Sequence, residues 1–260
     1  MKQPASIFVS HGAPTLPLET DNPARAFLRD LGSNLRHDAR PDAILVVSAH
    51  WESSVPSVTL AQKPETIHDF YGFAEELYEL KYPASGAPEL AERTRKLLAS
   101  NGIQARTDAG RGLDHGAWVP LMEMFPGAEI PVTQLSVAPE QGAEFHYAMG
   151  EALQPLKEEG ILVLASGGAV HNLMQYRRDP VNVAEWARSF DDFLAERVSA
   201  GDVDGLLNYS ARSDHDQAHP TDEHFLPFFV ALGAARDKQG DVLHRSFSHG
   251  SLSMASYAWT

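Results

Sequence analysis

Three histidines stand where buried, strand-like runs end. Residues 6–10 lead to His11, residues 43–49 lead to His50, and residues 161–166 lead through Gly167 and Gly168 to His171. In open α/β sheets, ligands bind outside the carboxyl ends of the strands. Residues far apart in sequence can therefore meet there. Neutral imidazole is the commonest protein ligand for a divalent transition metal. The chemistry this pattern predicts is a metal centre at the rim of a sheet.

Other segments add to it. His219-Pro220-Thr221-Asp222-Glu223-His224 holds three side chains with ligand chemistry: His219, Glu223 and His224. Its acids suit a helix start, and a turn followed by a helix from Pro227 is expected. In Leu113-Asp114-His115-Gly116, His115 is a further candidate and Asp114 suits a cap at a loop-to-helix junction. His68, Phe70, Tyr71 and Phe73 form an aromatic loop, and with Trp51 they suit the wall of a pocket for a flat substrate. His37, His146, His215 and His244 lie in polar or amphipathic contexts and read as structural, while His249 stays open between the two readings. Gly167-Gly168 also suits a phosphate loop, but no Lys follows as a Walker motif requires. The pattern is not G-x-S-x-G either, which disfavours a serine-hydrolase elbow.

The elements that must position these residues alternate in type, the mark of an α/β fold. Strands are expected at 6–10, 43–48, 57–60, 103–106, 131–136 and 161–166, with 242–247 closing the sheet as an edge. Helices are expected at 23–35, 88–100, 118–125 and 143–156. Trp186, Phe190, Phe193, Leu194 and Arg197 mark a further amphipathic helix. The architecture this implies is one domain over 1–260, with a mixed, mostly parallel central sheet flanked by helices on both faces. No internal repeat, low-complexity segment or linker interrupts it.

The bulk composition narrows the function. With 43% hydrophobic and 22% charged residues, the chain reads as a soluble globular protein. A formal net charge of −14 argues against nucleic acid or an anionic membrane as partner. No apolar stretch reaches the length of a membrane span. The N-terminus enters a strand almost at once, leaving no room for a signal peptide, so the cytoplasm is the expected compartment. Cysteine is absent, which removes disulfides, thiolate ligands and cysteine-protease chemistry. A monomer or small homo-oligomer is expected.

Seven motifs together resemble a known family. They are Ser10-His11-Gly12-Ala13-Pro14, Val47-Ser48-Ala49-His50-Trp51, Ile67-His68-Asp69-Phe70, Asp114-His115-Gly116, Gly168-Ala169-Val170-His171-Asn172-Leu173, Pro220-Thr221-Asp222-Glu223-His224 and Gly250-Ser251-Leu252-Ser253-Met254. In this order they are similar to the 4,5-DOPA extradiol dioxygenases, within the class III ring-cleaving dioxygenases. The resemblance spans residues 10–254, nearly the whole chain.

The resemblance implies a metal bound by His11, His50 and His224. His171 sits beside it, as a further ligand or as an acid/base. His115 is a second acid/base. By their flat, aromatic character, His68, Phe70 and Trp51 are the expected substrate-binding residues. Many class III enzymes use two histidines and a glutamate, the facial-triad chemistry of non-haem iron. Here Glu223 precedes His224. If Glu223 binds, iron(II) chemistry is better supported; if His224 binds, three neutral ligands make a site that zinc fills readily. The histidine-ending motif matches the DOPA-type members and favours His224. One divalent metal per chain is expected, Zn²⁺ or Fe²⁺, with Fe²⁺ needed for turnover. The implied reaction opens a DOPA-like catechol with O₂. The competing readings are a zinc-dependent hydrolase on the same ligands and a non-catalytic zinc- or catechol-binding protein.

Overall fold

The computed structural model describes residues 4–177 and 182–260. Residues 1–3, which carry the expectation about a signal peptide, lie outside them. The strands are β1 (Ser6–Ser10), β2 (Ala43–Glu52), β3 (Ser57–Thr59), β4 (Arg106–Asp108), β5 (Val132–Val137), β6 (Ile161–Gly167), β7 (Asp241–His244), β8 (Phe247–Ser248), β9 (Leu252–Ser253) and β10 (Ser256–Trp259). The helices are α1 (Pro23–Asp38), α2 (Glu76–Glu79), α3 (Pro88–Ser100), α4 (His115–Met124), α5 (Gly142–Leu153), α6 (Glu185–Ala200), α7 (Val203–Leu207), α8 (His215–Ala218) and α9 (Leu226–Ala234).

Among the described residues, eight strands form one sheet in the order β4-β3-β5-β2-β6-β1-β10-β7. Its centre, β5-β2-β6-β1, is parallel throughout. β3 meets β5, and β10 meets both β1 and β7, in antiparallel fashion. The parallel centre explains the unbroken apolar runs, because a strand covered on both faces has no solvent side. Ile7, Val9, Ile44, Val46, Leu162 and Leu164 pack toward α1 and α4. Phe8, Leu45, Val47, Val163 and Ala165, one residue out of step, pack toward α3, α5, α6 and α9. Each Val, Leu, Ile or Phe among them, fully buried, contributes about 1.5–3 kcal/mol. The mixed sheet with helices on both faces is as the sequence implies.

Several boundaries differ. β4 starts only at Arg106, because Ile103 is buried in the preceding loop rather than paired in a ladder. α4 starts at His115, three residues early, because the Asp114 carboxylate accepts the Ala117 N–H at 3.2 Å. The expected edge strand ends at His244, and Phe247 belongs to the separate β8–β9 pair. β10 was not anticipated. It is only four residues long, and its place is set by pairing with the open edge of β1. No helix among the described residues is long and apolar enough to cross a membrane.

Candidate metal centre and active site

The rim of the parallel centre delivers the histidines by three local devices. β1 ends at Ser10, and the His11 N–H donates to the Gly167 carbonyl at 3.0 Å. Gly12 then turns with φ +71°, a conformation that favours glycine, beneath Met254. In β2, pairing with β5 is regular to Ser48 opposite Ser136 and resumes at Glu52 opposite Val137. Ala49, His50 and Trp51 thus form a bulge, and His50 lies inside the strand rather than past its end. Bulges re-aim side chains at functional rims. At β6, the Gly168 N–H donates to the His224 carbonyl at 2.8 Å. A Cβ on Gly167 would lie 2.0 Å from that oxygen. The glycine pair therefore admits the segment carrying His224 rather than a phosphate.

Three Nε2 atoms converge. The His50 Nε2 lies 3.0 Å from that of His11 and 3.2 Å from that of His224. The opposite nitrogen of each ring faces an acceptor. The Ser166 hydroxyl donates to the Gly116 carbonyl; having spent its only hydrogen there, it accepts from the His11 Nδ1–H at 3.1 Å. The His224 Nδ1–H donates to Glu223 Oε1 at 2.8 Å. The His50 Nδ1 faces Asp69 Oδ2 at 3.5 Å. The His11 and His224 rings are thus held as Nδ1–H tautomers by hydrogen bonds, His50 has a carboxylate near its Nδ1, and the three Nε2 atoms face one point. Outer acceptors orient metal-ligating histidines in this way. The donor set fits a divalent cation.

The electrostatics agree. Burial, reinforced by the neighbouring imidazoles, holds His11 and His50 well below the usual imidazole range, so both stay neutral. Burial of Glu223 raises its carboxyl, but the hydrogen bonds from His224 and Thr221 outweigh that and hold it at about 2. It is an ionised acceptor against His224, and its oxygen engages that ring from the side away from His11 and His50.

His115 and His171 flank the triad differently. The His115 ring centroid lies 3.8 Å from that of His50 and 5.4 Å from that of His11. Its Nδ1–H donates to Asp69 Oδ2 and its backbone N–H to Asp69 Oδ1, both at 2.9 Å. Asp114 does not orient the ring. It is fully buried, caps α4, accepts from Ser48 and Gln134, and pairs with Arg111 at 3.0 Å. His171 stacks on His224, with ring centroids 3.6 Å apart and planes within 10°. Burial first, then His224, depresses it to about 2.

The expected pocket wall is brought together only in part. Phe70 meets His115 edge-on at 5.8 Å and packs with Phe73 and Tyr78. His68 lies behind it, its Nε2–H donating to the Leu80 carbonyl at 2.9 Å. Tyr71 is 92% exposed and turns away. Trp51 is buried with the Arg111 guanidinium over its ring at 5.2 Å, and has no ring contact with the histidines among the described residues. His219 does not join the triad. It is buried against Phe225 and Phe190, and its Nε2–H donates to the Ala169 carbonyl. His249 stacks on Tyr176.

Sequence reasoning missed Asp69, Ser166 and Arg111. A polar residue ending an apolar strand was the available signal for Ser166, and Ser10 and Ser48 repeat it at β1 and β2. Asp69 lay beside a histidine that is not its partner. Nothing in the sequence links it to His115, 46 residues on.

Comparisons with known proteins complete the picture. Residues 5–260 match the family described as the catalytic LigB subunit of aromatic ring-opening dioxygenase. The chain is 42% identical over 258 residues to 4,5-DOPA dioxygenase extradiol of Beta vulgaris, covering 98% of this chain and 96% of that one. It is 38% identical to the protein of the same name from Escherichia coli K12, covering 96% and 93%. A solved structure of an uncharacterized Escherichia coli K12 protein superposes with a TM-score of 0.82 at 34% identity, covering 98% and 99%.

Proposed function

The chain belongs to the family of the catalytic LigB subunit of aromatic ring-opening dioxygenase, and from that premise we propose that it is a metal-dependent extradiol enzyme that opens a DOPA-like catechol with O₂. The observation that carries this is the convergence of the His11, His50 and His224 Nε2 atoms, each opposite an Nδ1 held by an acceptor or facing one. These three hold one divalent metal per chain. Glu223 serves as the acceptor behind His224 rather than as a ligand. Iron(II) held by the three histidines would supply Lewis acidity toward the catechol oxygens and a redox path between ring and dioxygen.

The protein's own residues handle protons and position. His115, with Nδ1–H on Asp69, presents Nε2 as its free basic nitrogen and takes a catechol hydroxyl proton. His171, stacked on His224 and neutral, is the second proton-handling group, placed to assist cleavage of the O–O bond. Phe70 packs beside His115 and supports one face of a flat ring. Both oxygen atoms end in the ring-opened product, one in a carboxylate and one in an aldehyde.

The test is oxygen uptake by metal-stripped protein reloaded anaerobically with iron(II), then given a panel of catechols including DOPA. Uptake equal to substrate consumed, with a yellow ring-opened product, is expected. A zinc-loaded sample binds catechol without uptake, since zinc has no redox step. Bound iron with no uptake for any catechol would overturn the reading.

A further inference from the structure

Asp69 touches two histidines that the proposed function places in different roles. Its Oδ1 accepts the backbone N–H of His115 and its Oδ2 accepts the Nδ1–H of the same ring, both at 2.9 Å. That same Oδ2 lies 3.5 Å from the Nδ1 of His50. One carboxylate thus faces the Nδ1 of a metal-ligand ring and of a base ring whose centroids are 3.8 Å apart.

The loop that carries Asp69 is built to hold it still. The Ile67 N–H donates to the Leu113 carbonyl at 2.8 Å, and the Trp118 indole donates to the Ile67 carbonyl at 2.9 Å. The His68 ring donates to the Leu80 carbonyl at 2.9 Å. Leu113 and Trp118 bracket His115, so the loop is fastened to the segment whose histidine it orients. A site residue acts reproducibly when its own rotamer is locked by such supports.

Resting on the proposed function, we infer that Asp69 is a shared positioning residue that holds the Nδ1–H tautomer of both His50 and His115, so that metal affinity and proton transfer depend on one carboxylate. A carboxylate only accepts hydrogen bonds, so it fixes the proton on the Nδ1 of His115 at 2.9 Å and favours it on the Nδ1 of His50 at 3.5 Å. Both Nε2 atoms are then left with lone pairs, one for the metal and one for the substrate proton. An asparagine presents an N–H instead and reverses the tautomer of a ring it faces.

The experiment compares wild type with Asp69→Asn and Asp69→Glu. Zinc affinity is measured by chelator competition, ring tautomers by ¹⁵N NMR of histidine-labelled zinc protein, and kcat and KM on the iron enzyme. For Asp69→Asn the expected results are a zinc affinity lower by about 10–100-fold, and an Nε2–H signal at His115. kcat should fall by up to about 10⁴-fold, the scale of a wrong-tautomer substitution elsewhere, with KM changed far less. Asp69→Glu should recover part of both losses. A loss in only one of affinity and kcat, or unchanged tautomers, would overturn the inference. Should Asp69→Asn fail to fold, the wild-type spectrum decides alone: an Nε2–H signal at His115 overturns it. A wild type that binds zinc but consumes no O₂ as the iron form refutes the proposed function instead, and leaves the affinity and tautomer results to be judged on their own.

Discussion

The triad and the His171 side of its flank are built on different principles. At the triad, His11 and His224 are buried, and all three rings have Nδ1 facing a side-chain oxygen. On the flank, His171 has no hydrogen bond to its ring among the described residues, and beside it Leu173, Met174 and Tyr176 are exposed. Phe70 leads directly into an exposed Tyr71. The difference separates two tasks. A metal site needs a fixed donor geometry, supplied by the strands and their caps. A substrate surface needs shape and access, supplied by loops.

The sharpest test of that division is His11→Ala or His50→Ala. Either should abolish O₂ uptake and lower metal affinity well beyond the roughly 10–100-fold that loss of an outer partner costs, as metal titration would show. Full affinity in both variants would move the site elsewhere.

His146 offers the same neutral imidazole away from the rim. Its Nε2 accepts the Ala138 N–H at 3.0 Å and its Nδ1–H donates to the Gly142 carbonyl at 2.6 Å. Burial lowers it to about 4 despite that second bond. The unfolded chain titrates near 6.5, so between those values the unfolded state binds the extra proton and acid favours unfolding. Stability should fall by about 3 kcal/mol between pH 7 and pH 4 from this residue. Urea unfolding of the metal-free protein should show a shallower pH dependence in His146→Gln; an unchanged slope would refute it.

Gly167→Ala tests how tightly the triad is packed. The new Cβ meets the His224 carbonyl at 2.0 Å, so a loss of about 1–3 kcal/mol in denaturant unfolding is expected, together with weaker metal binding. Ser166→Ala removes both the acceptor behind His11 and the donor to the buried Gly116 carbonyl. Metal affinity should drop about 10–100-fold, with a loss of about 1–3 kcal/mol in unfolding of the metal-free protein from the orphaned carbonyl. The smallest effect belongs to the flank. Phe70→Leu should raise KM by about tenfold or less, the scale of a modest change in an apolar pocket, and leave metal affinity unchanged. Equal sensitivity of both properties would erase the distinction between the two regions.

The chain's own order of residues determined a great deal. Apolar runs without a polar side specify strands covered on both faces, because burial of successive side chains requires cover above and below. Those runs placed His11, His50 and His171 at one rim, and the seven ordered motifs identified the family. α3 lies over Pro88–Ser100 as expected, with a proline at its start. Tertiary structure alone decided the rest. The bulge that aims His50 depends on β2 and β5 losing register, which no local pattern encodes. β10 exists because β1 offers an open edge to a short segment with little pattern of its own. His224 rather than Glu223 turns its ring toward His50, in a segment whose backbone packs against Gly167. Asp69 rather than Asp114 serves His115 because a loop folds back across 46 residues. Hydrogen bonds act over about 3 Å, and which atoms come within that range is settled by packing, not by adjacency in the chain.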